Sequence, residues 1–278
     1  MIKHIINFSM VVLFSASVAK AQQLFKVWET PAELKTPASV FFDERNQRMY
    51  VTNIDGKGLW EKDGKGSISL VTSSGKLLNP SWVKGLHAPK GMGMYQEFLL
   101  VVDVDSVAII DVVKAEVIRK VYVEDAQGLN DLTTDRLGNM YISDTKAKKI
   151  FYIDAGKLKP EVYLSGLTAP DGVLYADRTL YFLDAGVLYK IGKGKEKIKV
   201  ADGLPLDADG LMQFNETNML VTATSGEIWM VDAKGTVKLV DNSSIGLKGG
   251  ADPGWNPKTG MLYLPTFSQN NVVALQIK

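Results

Sequence analysis

The sequence predicts an all-β protein, a six-bladed β-propeller closed by pairing of its N-terminal strand with its C-terminal blade. Three observations predict it. First, a Gly-Leu pair recurs at Gly85-Leu86, Gly128-Leu129, Gly166-Leu167, Gly203-Leu204 and Gly246-Leu247, with an earlier copy marked by Leu34. Second, two short apolar-rich runs separated by a turn follow each of these points, and most copies add a third and a fourth run. Four short strands per repeat of about 40 residues are the signature of a propeller blade. Third, the two ends complement each other. The last copy has room for three strands, closing with Asn271-Val-Val-Ala-Leu-Gln-Ile277, and a spare strand, Leu24-Phe-Lys-Val-Trp28, precedes the first copy. Pairing them leaves no orphan strand and few open edges. A pair of β-sandwiches, the main rival, would not need six equivalent hairpins.

The chain begins with a pattern of export. Lys3 and His4 lead into a largely apolar run, residues 5–18, and Ala19-Lys20-Ala21 offers a small-residue cleavage site. That run is shorter than the roughly 20 residues a membrane helix needs. Residues 1–21 are therefore expected to be a secretory signal peptide. Residues 22–278 are expected to form a single propeller domain, located in the periplasm or secreted.

Composition narrows the chemistry. The 278 residues carry 32 basic and 31 acidic side chains, a net charge of +1, so no nucleic-acid partner is expected. The absence of Cys removes disulfides, thiolate nucleophiles and Cys-ligated zinc. Only His4 and His87 could supply an imidazole.

The third repeat shows the unit most clearly. Its first strand starts at Leu129-Asn-Asp131, turns through Asp135-Arg-Leu-Gly-Asn139 and returns as Met140-Tyr-Ile-Ser143, ending on Asp144. The hairpin is expected to gather Asn130, Asp131 and Asp144 on one rim. In a propeller the first strand of each blade lines the central channel, so equivalent positions converge there. Those positions are Ala38, Lys90, Asn130, Asp171, Asp209 and Asp252. Charges brought together away from water need compensation by a cation, an ion pair or solvent. One solution is a divalent cation, most plausibly calcium, held by Asp171, Asp209, Asp252 and Asn130, because hard cations take carboxylate and amide oxygens. The other is neutralisation by Lys90.

A second ring at the end of the next strand, Asn53, Asp103, Asp144, Asp184, Ala223 and Thr266, is expected to be structural, with acids accepting backbone N–H bonds. His87 precedes the second blade's channel strand and is a candidate ligand contact or general base. Trp60 and Trp82 lie in the first blade's insertion. Packing onto the blade below is the expectation for both, with stacking on a ligand over the channel mouth as the alternative.

Leu129-Asn-Asp131, Pro170-Asp-Gly-Val173 and Ala208-Asp-Gly-Leu211 resemble channel segments of the regucalcin/gluconolactonase-like superfamily of six-bladed propellers, with NHL-type repeats as relatives. That resemblance implies one divalent cation and hydrolysis of sugar lactones or related esters. It would make Asp171 and Asp209 metal ligands and candidate bases, and Asn130 a contact to ligand or water. The chain departs from the pattern where the family carries a channel Glu in its first blade, here Pro37-Ala38-Ser39, and a substrate-binding Arg, here Gly128. The expected partner is a small ligand of the lactone or ester class. A non-catalytic propeller that binds a ligand or a protein is the alternative.

Overall fold

The computed structural model describes residues 23–240 and 245–277. Residues 1–21, expected to be a signal peptide, lie outside the described residues. β1 (Leu24–Glu29) opens the described chain. Blade 1 follows as β2 (Pro37–Asp43), β3 (Arg48–Asn53), β4 (Gly66–Thr72) and β5 (Leu77–Leu86), and blade 2 as β6 (Pro89–Tyr95), β7 (Phe98–Asp103), β8 (Ser106–Asp111) and β9 (Glu116–Tyr122). Blade 3 comprises β10 (Leu129–Thr134), β11 (Met140–Asp144), β12 (Lys149–Ile153) and β13 (Pro160–Leu164). Blade 4 comprises β14 (Pro170–Ala176), β15 (Thr179–Asp184), β16 (Val187–Ile191) and β17 (Lys197–Ala201). Blade 5 comprises β18 (Ala208–Gln213), β19 (Met219–Ala223), β20 (Ile228–Val231) and β21 (Val237–Leu239). Blade 6 comprises β22 (Gly254–Asn256), β23 (Met261–Thr266) and β24 (Asn271–Ile277).

Each blade is a four-stranded antiparallel meander, and the sixth is completed by β1 in the order β1-β24-β23-β22. Leu24 stands opposite Ile277 and Glu29 opposite Val273, so the first and last strands fasten the ring. Leu24 is buried against Leu264, Leu275 and blade 5's Leu220. Burial of a leucine contributes about 1.5–3 kcal/mol, which makes the closing strand part of the core rather than an appendage. Elsewhere the apolar faces of neighbouring blades interlock, as Leu100 and Ile109 of blade 2 do with Leu132 and Ile142 of blade 3. Among the described residues no helix is long and apolar enough to cross a membrane.

One local feature positions the site. In blades 1 to 5 the pairing of first and second strands breaks at the ring positions, between Pro37 and Ser39, Pro89 and Met92, Leu129 and Leu132, Pro170 and Val173, and Ala208 and Leu211. These are β-bulges, which detach a residue from the ladder and re-aim its side chain. The residue after the ring position then lies against the next blade. A Cβ on Gly172 would stand 2.3 Å from the Asp209 carbonyl oxygen, and one on Gly91 would stand 2.3 Å from Asp131 Oδ1. Glycine is required there because the inner strands approach backbone to backbone.

Candidate functional site at the channel mouth

A cavity of about 520 Å3 opens at one end of the channel. Its floor is polar: Lys90, Asn130, Asp171, Asp209 and Asp252. Its collar is apolar, with Leu59, Trp60, Leu206 and Phe267. The structure thus brings together all five polar side chains that the repeat places at the ring position. His87 is not among the lining residues. Its Nδ1 accepts the N–H of Gly64 at 3.2 Å and its backbone N–H is bound to Asp103 Oδ1, so it fixes the blade 1 insertion and does not reach the rim.

The polar floor is a connected network. Asn130 Nδ2 donates to Asp171 Oδ1 at 2.6 Å and to Thr145 Oγ1 at 3.2 Å, and Thr145 Oγ1 donates to the Pro170 carbonyl at 2.8 Å. Asp171 and Asp209 bear on each other through charge and a carboxyl–carboxyl hydrogen bond that forms only when one of them is protonated. Burial, reinforced by the Asp209 charge and that hydrogen bond, holds Asp171 well above the usual carboxylate range. Burial also pushes Asp209 up, to about 6, against the opposing hydrogen bond from Asp171 and the Lys90 charge. Asp252 is raised well above the ordinary value by burial and then by Asp131, Asp209 and Asp171, and its Oδ1 is buried without a hydrogen-bond partner.

Lys90 is 5 % exposed although it lines the cavity. Its Nζ donates to the carbonyls of Leu59 (2.5 Å) and Ala88 (3.2 Å) and lies 3.8 Å from the centre of the Trp60 ring. Burial brings its pKa down to about 8; the charges of Asp103, Asp209 and Asp171 oppose that, and Lys146 adds to it. Trp60 is held between two cations, since Lys146 Nζ lies 4.8 Å from the same ring. It therefore caps the mouth, whereas Trp82 packs on Tyr50 at 4.9 Å within blade 1 as expected.

The hairpin of blade 3 distributes its polar residues differently from the sequence expectation. Asn130 is on the mouth and Asp144 is a latch, accepting the N–H groups of Gln127 and Ala147. Asp131 sits one step deeper, where blades 2, 4 and 5 carry Gly91, Gly172 and Gly210. It takes N–H bonds from Leu132 (2.7 Å) and from Val173 of blade 4 (2.8 Å). Burial raises it to about 7 despite those two donors. With Asp252 it also lines a second cavity, of about 200 Å3, bordered by Phe42, Leu174 and Trp255. Sequence reasoning left Asp131 out of the channel set, although an acid where sibling blades have glycine was a visible signal. The collar residues Leu59, Leu206 and Phe267 come from loops and left no periodic trace.

Several metal-capable oxygens therefore share one space, but their partners differ from those of a cation cage. Among the described residues no three His, Asp or Glu side chains form a group arranged to hold a metal ion. Asn130 turns an N–H toward Asp171, burial raises both Asp171 and Asp209 above the ordinary carboxylate value, and an ammonium stands on the same floor. Asp252 Oδ1 is buried with no hydrogen-bond partner.

No protein-family model and no curated protein matches the sequence. Solved structures do match its fold. A streptogramin B lyase superposes with a TM-score of 0.68 at 11% identity over 93% of this chain and 98% of the other. An auxiliary nutrient-binding protein from Bacteroides thetaiotaomicron gives 0.66 at 9% identity over 88% of this chain and 70% of its own. A chain of a nidogen/laminin complex gives 0.62 at 16% identity, covering 75% and 80%. The protein is a six-bladed β-propeller, and its similarity to these structures is one of fold.

Proposed function

We propose that this chain is a small-ligand-binding propeller whose ligand occupies the channel mouth. The observation that carries the reading is the pairing, in one cavity of about 520 Å3, of an apolar collar with a set of hydrogen-bonding side chains, Lys90, Asn130, Asp171, Asp209 and Asp252. Ligand sites have this build: apolar walls hold the body of the molecule and a few placed polar groups orient it. Lys90 would meet an acceptor oxygen of the ligand, the Asn130 carbonyl oxygen would accept from a ligand hydroxyl, and the Asp171–Asp209 pair can both give and take a hydrogen bond. Among fold neighbours, the nutrient-binding protein is named for binding and the lyase for bond cleavage; the propeller serves either role.

A second reading, hydrolysis of a lactone or ester, is favoured by one specific observation. Burial raises both Asp171 and Asp209 above the ordinary carboxylate value on one cavity floor, and general acid–base chemistry uses carboxyl groups so shifted. A calcium ion, if bound, would supply polarisation of a carbonyl and activation of water. The donor set as arranged fits it poorly, because Asn130 turns its N–H rather than its carbonyl oxygen toward Asp171. In this reading the floor is balanced by protons and Lys90. Export, suggested by residues 1–21, belongs to the same proposal.

Calorimetry with glucono-lactone and aryl esters, followed by turnover assays on the same compounds, tests both readings. Binding that is lost in Trp60→Ala, without turnover, supports the binding reading. Turnover that falls at least about 100-fold in Asp209→Asn supports the hydrolytic one. A cavity that takes neither class contradicts the proposed ligand chemistry.

A further inference from the structure

Lys90 is an amine in an unusual position. It stands among acids, yet its hydrogen bonds run to the backbone carbonyls of Leu59 and Ala88 and its remaining face lies against Trp60. It borders the cavity beneath an apolar collar, and the Asp171–Asp209 pair borders the same cavity. Two acceptors that are not carboxylates hold the nitrogen in place without committing it to an ion pair. A neutral amine keeps two N–H donors that can satisfy both carbonyls; its lone pair then faces Trp60, so a carbonyl reaches it when that indole turns aside. Burial favours the neutral form while the Trp60 face favours the cation, and the apolar collar excludes the bulk water that would reverse a condensation.

We propose that Lys90 captures carbonyl ligands, forming a reversible imine with the aldehyde or ketone group of a small molecule seated in the mouth cavity. The inference rests on the reading of that cavity as a ligand site. The nitrogen lone pair bonds to the carbonyl carbon, and the carbon–oxygen π pair moves to oxygen, which takes a proton from the Asp171–Asp209 pair. The carbinolamine then loses its oxygen as water. Both hydrogens of the amine end in that water, one of them by way of the acid pair, which is restored. No oxidant, reductant or metal enters the balance. The charged groups that bear on Lys90 set the pH range: Asp103, Asp209 and Asp171 favour the ammonium, Lys146 and burial the amine. With a midpoint near 8, an appreciable fraction is amine at neutral pH, whereas an exposed lysine is almost wholly protonated there.

Benzaldehyde, an apolar carbonyl probe, tests this on the whole protein. It is added at pH 7.5, trapped with sodium borohydride and located by peptide mass mapping. The proposal expects one adduct, on Lys90, formed at least about tenfold faster than on any other lysine, with a rate that climbs through pH 8. Lys90→Arg keeps the cation and should lose that adduct. Benzyl alcohol, which cannot form an imine, reports on the cavity separately through the Trp60 indole NMR signal. If benzyl alcohol shifts Trp60 while adducts scatter over surface lysines, imine formation is overturned and the ligand site stands. If benzyl alcohol leaves Trp60 unmoved and Lys90 stays unlabelled, both fall. Because mapping is done on the unmodified chain, the result does not depend on any variant folding.

Discussion

Two rings of aspartates encircle the same axis, one strand apart, and they do opposite things. At the strand ends, Asp103 accepts the N–H groups of His87 and Ala88 through Oδ1 and pairs with Lys120 through Oδ2 at 3.2 Å. Asp184 repeats the pattern with Thr168, Ala169 and Lys197, and Asp144 with Gln127 and Ala147. These acids fasten the loop that enters each blade. On the channel floor, Asp171, Asp209 and Asp252 are offered no such set of donors, and their protonated forms gain from burial and mutual repulsion. The difference comes from the backbone. A strand end leaves N–H groups free to turn toward a carboxylate, whereas the bulges of the inner strands of blades 4 and 5 aim Asp171 and Asp209 into shared space. An aspartate in a propeller is a latch or a reactive group depending on which of these it meets.

The contrast can be broken from its strong side first. Asp103→Ala removes the partner of two buried N–H groups and of Lys120, and should lower unfolding free energy by about 3–5 kcal/mol in urea titrations. Gly172→Ala would force a methyl against the Asp209 carbonyl and should cost about 1–3 kcal/mol, with a change in the pH behaviour of the acid pair that Asp103→Ala does not produce. The pH dependence follows from the raised groups. The folded state holds protons on Asp209 to about 6 and on Asp131 to about 7, whereas an unfolded aspartate releases them near about 3.9. It therefore binds more protons than the unfolded chain between those values, and stability should fall as pH rises from about 4 to about 7. Asp209→Asn should flatten the lower part of that slope, measured by melting temperature against pH. A smaller effect is expected of Asp252→Asn, which should stabilise the fold at pH 8 by about 1 kcal/mol because it removes a buried charge. Smallest of all, millimolar calcium should leave the melting temperature unchanged at pH 7; a rise that Asp209→Asn abolishes would restore the cation reading.

The fold was legible because propeller blades repeat. Equivalent hairpins, Gly-Leu markers and complementary ends dictate the ring and its closure without knowledge of any side-chain contact. The floor was legible for the same reason, since Lys90, Asn130, Asp171, Asp209 and Asp252 occupy one position in successive copies. What breaks the repeat was harder to read. Asp131 lies one residue off the ring position, and the strand bulge that turns it inward is a property of the backbone. Trp60 reaches the mouth only because the blade 1 insertion folds back over Lys90. His87 was misplaced because adjacency in sequence to a channel strand says nothing about which way a loop side chain leaves it.

The central claim is that protons and Lys90 balance the channel acids. Carbon-13 NMR of aspartate carboxyl carbons, followed against pH and assigned with single Asn variants, tests it most directly. The account predicts that Asp209 and Asp131 titrate with midpoints near 6 and 7, and that Asp171 and Asp252 titrate well above the ordinary aspartate value. Four channel carboxyls already ionised at pH 5 would contradict it.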